Sequence, residues 1–300
     1  MAKSPYTYFE PQAAAKLTNL NIVVRHAVEG FISGLHRSPH RGFSVEFSEH
    51  REYAPGDDVR HLDWVAYARS DRYYIKQYEQ ETNLRCYILL DSSGSMDYRY
   101  DGGVTKFQYG CYLSACLAYL MARQQDMVGM VAFDSEVRFH MPPGSAPAHL
   151  DRLFTTLETL KPGKTTAIAE TFHHLAERIA KRGLIVIISD LYDDPANVMR
   201  AIQHFCYKKH QIILFHVMDQ AELDFPFRKT TTFVDRETGQ KVQVDPRTVR
   251  DAYQGELQAF ISRYRTECRD RNIEYVQTST STPYDRMLLN YLARRKHLLR

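Results

Sequence analysis

A short polar motif after an apolar run contains the residues best suited to chemistry. Asp91, Ser93 and Ser95 form the pattern D-x-S-x-S directly after the apolar stretch 84–90. A strand buried on both faces reads as such a stretch, and open α/β sheets bind ligands at the carboxyl ends of their strands. The three side chains offer only hard oxygen atoms, which Mg²⁺ prefers as ligands. The motif therefore predicts a site for a divalent cation.

Two further segments can bring oxygen ligands to the same edge. The apolar stretch 184–189 ends at Asp190, and the loop 163–166 carries two threonines just before a predicted helix. Because neighbouring parallel strands end at one edge of a sheet, we expect Asp91, a threonine and Asp190 to converge on one cation. The simpler interpretation is that an Asp or Ser after a strand only caps the next helix.

From residue 84 onward, strand patterns alternate with helix patterns. This alternation predicts an α/β fold, a doubly wound and mostly parallel sheet with helices on both faces. A β-hairpin insertion is expected at about 225–246, where two short strand patterns flank a turn. The predicted strands are 84–90, 128–133, 184–189, 211–217 and 273–276, with a short edge hairpin at 137–139. The predicted helices are 106–123, 147–160, 166–182, 195–206, 246–271 and 283–297.

The first 82 residues predict a small layer of a helix and strands. Apolar residues at three- and four-residue steps predict an amphipathic helix within 12–35, and alternation predicts strands at 43–53 and 72–78. We therefore predict two parts, 1–82 and 83–300.

The composition excludes several classes of protein. A net charge of +3 is too small to favour binding to nucleic acid or to an anionic membrane. No stretch approaches the ~18 apolar residues of a membrane helix, and the N-terminus lacks the apolar core of a signal peptide. The five cysteines are scattered and never form C-x-x-C, which favours reduced thiols. We expect a cytoplasmic protein with no direct membrane insertion.

The converging segments resemble the metal-ion-dependent adhesion site of von Willebrand factor A-type domains. Asp91, Ser93 and Ser95 match the strand end of that site, and Asp190 matches its later acid. The threonine loop departs from the usual Gly-Gly-Thr, so Thr166 fits best and Thr165 is the alternative. The resemblance implies Mg²⁺ (or Mn²⁺) with one coordination position open to an acidic side chain of a partner protein.

A second block narrows the family. Residues 51–64 read R-E-Y-A-P-G-D-D-V-R-H-L-D-W and resemble the block R-x-Y-x-x-G-D-D-x-R-x-x-D-W of the bacterial "domain of unknown function 58" family. The similarity extends over nearly the whole chain and implies partnership with a MoxR-type AAA+ ATPase. The charged residues of the block predict a hydrogen-bonded network around a buried Trp64; the alternative is a docking surface.

Other kinds of site fit the sequence less well. Gly163-Lys164-Thr165 resembles the end of a phosphate-binding P-loop, but Glu158 stands where its first glycine belongs. An aspartyl-phosphate phosphatase would need a proton donor two residues after Asp91, where Ser93 stands. Asp193 and Asp194, which could imitate the phosphatase's downstream acids, are expected to cap the helix near Pro195. No G-x-S-x-G elbow for a serine hydrolase is present.

The favoured hypothesis is a non-enzymatic interaction module. It would hold Mg²⁺ through Asp91, Ser93, Ser95, Thr166 and Asp190 and would accept a Glu or Asp of a client protein. By family resemblance it would work with a MoxR-type ATPase in the maturation, remodelling or assembly of other proteins. A Mg²⁺-dependent aspartyl-phosphate phosphatase is the alternative.

Overall fold

In the computed structural model, the described residues fall into two compact units, one within 46–79 and the other from residue 84 onward. The predicted helix within 12–35, the block residues 55–61 and the threonines Thr165 and Thr166 lie outside the described residues. For 46–51 and 76–79 only the backbone is described. The described ranges are 46–54, 62–70, 72–79, 84–100, 102–163, 167–284, 286–288 and 290–291.

The smaller unit is built around a two-stranded antiparallel sheet. Strand β1 (Glu46–Glu52) pairs with β2 (Tyr74–Glu79), and helix α1 (Trp64–Ser70) lies between them in the chain. Asp63 caps the start of α1. Its carboxylate accepts the N–H groups of the second and third helical residues at 2.9 and 3.1 Å. Both strand predictions for this region agree with the structure.

The prediction of a buried Trp64 was wrong. The Trp64 side chain is 63% exposed and meets the ring of Tyr67 edge-on at 6.3 Å. The neighbouring Asp63 is the buried residue of the pair. The carboxylate of Asp63 is held at the helix start by two backbone N–H groups, whereas Trp64 belongs to a helix that contains no buried residue.

The larger unit contains a six-stranded, mostly parallel sheet with the order β10-β7-β6-β3-β4-β5. The four strand pairs from β10 to β4 are parallel, and only β5 runs antiparallel, at one edge. The mixed α/β class with a mostly parallel sheet is therefore confirmed. In chain order the elements are β3 (Arg85–Asp91), α2 (Lys106–Arg123), β4 (Met127–Phe133), β5 (Val137–Gly144), α3 (Pro147–Thr159), α4 (Ile168–Arg178), β6 (Leu184–Ser189), α5 (Pro195–Tyr207), β7 (Gln211–Met218), α6 (Gln220–Asp224), β8 (Thr231–Val234), β9 (Lys241–Val244), α7 (Pro246–Asp270) and β10 (Glu274–Ser279).

The direction in which strands are added to the sheet reverses between β3 and β6. From β3 the chain adds β4 and then β5 on one side, and it later returns to the other side of β3 with β6, β7 and β10. At such a reversal the loops after the two central strands diverge and leave a crevice at the carboxyl ends. The strand order therefore predicts the crevice between the loops that follow Asp91 and Ser189.

Helices cover both faces of this sheet. On one face, Leu89 and Ile187 belong to a buried cluster with Phe172 of α4 and Phe205 of α5. On the other face α2 approaches so closely that a Cβ at Gly110 would lie 2.7 Å from Leu90 Cδ1. Successive residues of β3 point to opposite faces of the sheet. Because helices cover both faces, the sequence of β3 is continuously apolar.

Some element boundaries differ from the predictions. The five-residue helix α6 and a 3₁₀ turn at Gly94–Asp97 were not predicted, because elements this short carry no hydrophobic period. β5 extends to Gly144, and α4 is shorter than expected. The β8–β9 hairpin is present, and the chain is helical again at 284, 286–288 and 290–291. Among the described helices, none has the length and apolar character needed to cross a bilayer.

Candidate functional site

Asp91 is the fixed centre of the predicted site. It is the last residue of β3 and is fully buried. Its Oδ1 accepts the N–H of Ser93 at 2.9 Å, and its Oδ2 accepts the hydroxyl of Ser189 at 2.6 Å. Because Ser189 ends the neighbouring parallel strand β6, this hydrogen bond joins the two strands on either side of the crevice.

The two serines of the motif lie together beside Asp91. Their hydroxyl oxygens are 3.0 Å apart, at the start of the 3₁₀ turn. Ser93 is buried, whereas Ser95 is only partly buried. The spacing D-x-S-x-S thus brings one carboxylate and two hydroxyls into one turn.

Asp190 follows β6 and is buried on the same edge. Its Oδ2 accepts a hydrogen bond from Lys106 Nζ at 2.8 Å. Its backbone carbonyl accepts one from His216 Nε2 at 2.9 Å, so His216 Nδ1 receives the hydroxyl of Tyr275 at 2.7 Å. Burial lowers the pKa of His216 to about 4, and the ring is neutral near pH 7.

The two carboxylates influence each other. Burial and, to a smaller extent, the negative charge of Asp190 raise the pKa of Asp91 to about 7. The hydrogen bonds from Ser189 and Ser93 favour the ionised form and oppose this rise. Two acids that repel one another in a desolvated crevice are the arrangement that a bound divalent cation would relieve.

The loop that carries Thr166 is described only at its two flanks, and both flanks contact the site. Before it, the N–H of Gly163 donates to the carbonyl of Ser92 at 2.5 Å. After it, the N–H of Ile168 donates to Asp193 Oδ2 at 3.1 Å. Asp194 caps α5 as predicted, but Asp193 caps the start of α4 instead. The loop from β6 therefore holds the first residue of α4 at this edge.

Backbone strain accompanies the second acid. Leu191, directly after Asp190, has a φ of 58°, in the left-handed region that leucine rarely adopts. Its carbonyl accepts the N–H of Asp193 at 2.7 Å and the hydroxyl of Tyr264 at 3.2 Å. Such strain persists only where surrounding contacts enforce it, and it concentrates at functional sites.

Three residues of the site were not identified from the sequence. Ser189 is a hydroxyl at the end of an otherwise aliphatic strand, and that contrast is a usable signal. Lys106 opens α2, where a positive charge is unfavourable to the helix dipole, and this too is a signal. Glu222 pairs with Lys106 at 2.7 Å across 116 residues of sequence, which no local pattern predicts.

The donor set fits a small, hard cation. Asp91, Ser93 and Ser95 present oxygen atoms within one turn, and Asp190 lies near enough for its charge to raise the pKa of Asp91. Among the described residues, no three His, Cys, Asp or Glu side chains form a group that could hold a metal ion. The site proposed here depends instead on two carboxylates supplemented by hydroxyls.

The residues that form this edge lie inside a recognised family region. Residues 49–260 match the family described as "Protein of unknown function DUF58". The chain belongs to the DUF58 family. The matched region of this DUF58 protein includes Asp91, Lys106, Asp190 and Glu222.

Relatives and solved structures with similarity to this DUF58 protein are distant. Uncharacterized protein Rv1480 of Mycobacterium tuberculosis (strain ATCC 25618 / H37Rv) is 25% identical over 242 residues, which cover 79% of this chain and 75% of that protein. Uncharacterized protein Mb1516 of Mycobacterium bovis shows the same identity and coverage. An aerotolerance-related membrane protein from Bacteroides fragilis NCTC 9343 is 18% identical, with a TM-score of 0.48, over 72% of this chain and 99% of that one. BatB from Bacteroides thetaiotaomicron is 18% identical, with a TM-score of 0.44, over 71% of this chain and 99% of that one.

Proposed function

We propose that this DUF58 protein is a non-enzymatic interaction module that holds Mg²⁺ (or Mn²⁺) and shares it with an acidic side chain of a partner. One observation carries the proposal: Asp91 and Asp190 lie at the ends of adjacent strands where the strand order reverses. That position is where open α/β sheets bind ligands. The sheet order and the D-x-S-x-S turn support a von Willebrand A-like, doubly wound arrangement.

Each ligand would have its own role. Asp91 would bind the ion directly or through water, with its orientation fixed by Ser93 and Ser189. Ser93 and Ser95 would ligate through their hydroxyls, and Asp190 and Thr166 would complete the protein's share of the coordination shell. Bound there, the ion would supply a positive charge with one position for a visiting Glu or Asp.

The local charge supports a divalent ion. Ionised Asp91, Asp190 and Glu222 carry three negative charges, and Lys106 carries one positive charge, so the cluster has a net charge of −2. Burying such an excess is costly unless it is neutralised. One Mg²⁺ would balance it without further protein groups.

The hairpin insertion supports a role in recognition. Arg236, at the hairpin turn, lies 3.7 Å from Asp97 in the 3₁₀ turn that also carries Ser95. Val234 and Val242 of the hairpin are about half exposed. Because a charge–metal contact gives little selectivity by itself, we propose that this rim selects the partner.

The partner follows from the family resemblance. We propose a MoxR-type AAA+ ATPase, a client protein with an exposed acid, or both, acting together in maturation, remodelling or assembly. The exposed Trp64 and Val65 favour the docking interpretation of the N-terminal block, because a side chain that served only as scaffold would be buried.

Calorimetric titration with Mg²⁺ tests the site. Wild type should bind, and Asp91→Ala should not. Asp126→Ala is the matched control, because Asp126 accepts the N–H of Leu84 beside the opposite end of β3. Indistinguishable titrations of wild type and Asp91→Ala would refute the metal site. Hydrolysis of p-nitrophenyl phosphate that Asp91→Ala abolishes would favour the phosphatase instead.

A further inference from the structure

We propose that Lys106 is a positioning residue for the ion site, an internal cation that holds Asp190 by one oxygen and limits how tightly Mg²⁺ binds. The inference rests on the proposed function and adds its regulation. Lys106 Nζ lies 2.8 Å from Asp190 Oδ2 and 2.7 Å from Glu222 Oε1, and its side chain is fully buried.

The start of α2 fixes Lys106 in this place. Thr105 and Gln108 form a reciprocal capping box, with hydrogen bonds of 3.0 Å in both directions. The helix therefore begins at Lys106, where its own dipole repels a positive charge. The two carboxylates compensate the ammonium group buried there, together with the rings of Tyr192 and Tyr98, whose centroids lie 4.7 and 5.7 Å from Nζ.

The two carboxylate oxygens of Asp190 have different partners because Lys106 binds one of them. Oδ2 is hydrogen bonded to Lys106, whereas among the described residues Oδ1 has only a long contact of 3.4 Å with the N–H of Tyr192. Oδ1 is thus the oxygen that can turn to a cation. Since the ammonium contacts a ligand of the ion directly, its charge also opposes that of Mg²⁺ and lowers the affinity.

Glu222 acts in the opposite direction on the same ammonium. Its Oε1 accepts from Lys106, and its Oε2 accepts the N–H of Asp219, which caps α6. Glu222 therefore draws Lys106 toward α6 and offsets part of its charge. Without the Glu222 carboxylate, the ammonium would act on Asp190 alone, so Mg²⁺ would bind more weakly.

Two single variants separate this role from a purely structural one. Mg²⁺ titrations at about pH 8, where carboxylate ligands are ionised, should show Lys106→Met binding at least about tenfold tighter than wild type. Glu222→Gln should bind more weakly. Thermal unfolding should show that both variants are less stable. A structural role alone would weaken binding in both, and that result would overturn the inference.

Further variants keep the test decisive. Lys208→Met is the matched control, because Lys208 donates to the carbonyls of Ala176 and Glu177, away from the site. Its Mg²⁺ affinity should equal that of wild type. If Lys106→Met does not fold, Lys106→Met/Glu222→Gln removes the pair together. This double variant should still bind more tightly than wild type, because the ammonium touches Asp190 directly.

If wild type binds no Mg²⁺, the proposed function fails; if it binds but the variants do not follow this order, only the role of Lys106 fails.

Discussion

Ser189 donates a hydrogen bond of 2.6 Å to Oδ2 of Asp91, and this contact joins the ends of the two strands between which the strand order reverses. Asp91 has no exposed surface, so its charge is stabilised by such donors rather than by water. The same hydroxyl accepts the N–H of Leu191 at 2.9 Å, in the strained loop that follows. Ser189 therefore sets both the charge of Asp91 and the path of the chain after Asp190.

Replacing Ser189 by alanine should weaken Mg²⁺ binding at pH 7 by about tenfold, because a hydrogen bond to a charged group contributes ~1.5–3 kcal/mol. Calorimetric titration measures the change. Ser92→Ala is the matched control, since the Ser92 hydroxyl donates to the carbonyl of Phe133 at 2.8 Å and not to Asp91. The backbone N–H of Ser92 bonds the same carbonyl, so the strand end stays in place. Equal losses in both variants would contradict the role of Ser189.

The raised pKa of Asp91 predicts that Mg²⁺ binding depends on pH. The ion requires the ionised carboxylate, and the pKa of Asp91 is about 7. Affinity should therefore fall about tenfold for each pH unit below 7 and level off above about 8. Titrations between pH 5.5 and 8.5, approximately, would measure this. An affinity that stays constant over this range would contradict the assignment.

Stability without the ion should change in the opposite sense. The folded pKa of Asp91 exceeds its unfolded value of about 4, so its contribution to stability is full below pH 4 and is lost as the pH rises through 7. Added Mg²⁺ should thus raise the melting temperature strongly near pH 8 and little near pH 5.5. Asp91→Asn should remove this difference. Comparing samples with and without Mg²⁺ at each pH cancels the titration of His216 and other groups.

The sequence predicts the sheet well because its central strands are buried on both faces. Leu89 and Leu90 pack against opposite helix layers, which requires a continuous apolar run, and the same holds for Ile187 and Ile188. The start of α2 can also be predicted from the sequence, because the residues of its capping box are only three positions apart. The burial of Trp64 was predicted wrongly because tryptophan is highly buried on average, whereas α1 contains no buried residue.

The site was only partly predictable for a related reason. The sequence predicts the two neighbouring strands that end near Asp91, Ser93, Ser95 and Asp190. The proximity of these residues can therefore be inferred from the sheet topology. Lys106 and Glu222 are 116 residues apart in the sequence and meet only in the folded structure, so their helix-start positions do not reveal that they pair. Sequence patterns thus indicate which oxygens gather at the edge, whereas the internal cation between them depends on tertiary structure.

Adjacent acids after β6 provide a test of the threonine loop. Asp193→Ala and Asp194→Ala should each cost ~0.5–2 kcal/mol of stability, because each removes one cap from a helix start. Only Asp193→Ala should also weaken Mg²⁺ binding, since Asp193 holds the residue that begins α4 after the loop carrying Thr166. Denaturant unfolding and Mg²⁺ titration of both variants would decide. Equal Mg²⁺ affinities would remove that loop from the proposed coordination shell.

The glycine before the loop gives an independent test of the same edge. A Cβ at Gly163 would lie 2.1 Å from Asp134 Oδ2, a carboxylate held at 3.1 Å by Arg138. Gly163→Ala must therefore displace the loop from Ser92 or break the ion pair, and we expect a loss of ~1–3 kcal/mol together with weaker Mg²⁺ binding. Gly255→Ala, in an open part of α7, should instead gain ~0.5–1 kcal/mol and leave Mg²⁺ binding unchanged. If Gly163→Ala lowered stability yet bound Mg²⁺ like wild type, the loop would pack against the site without serving it.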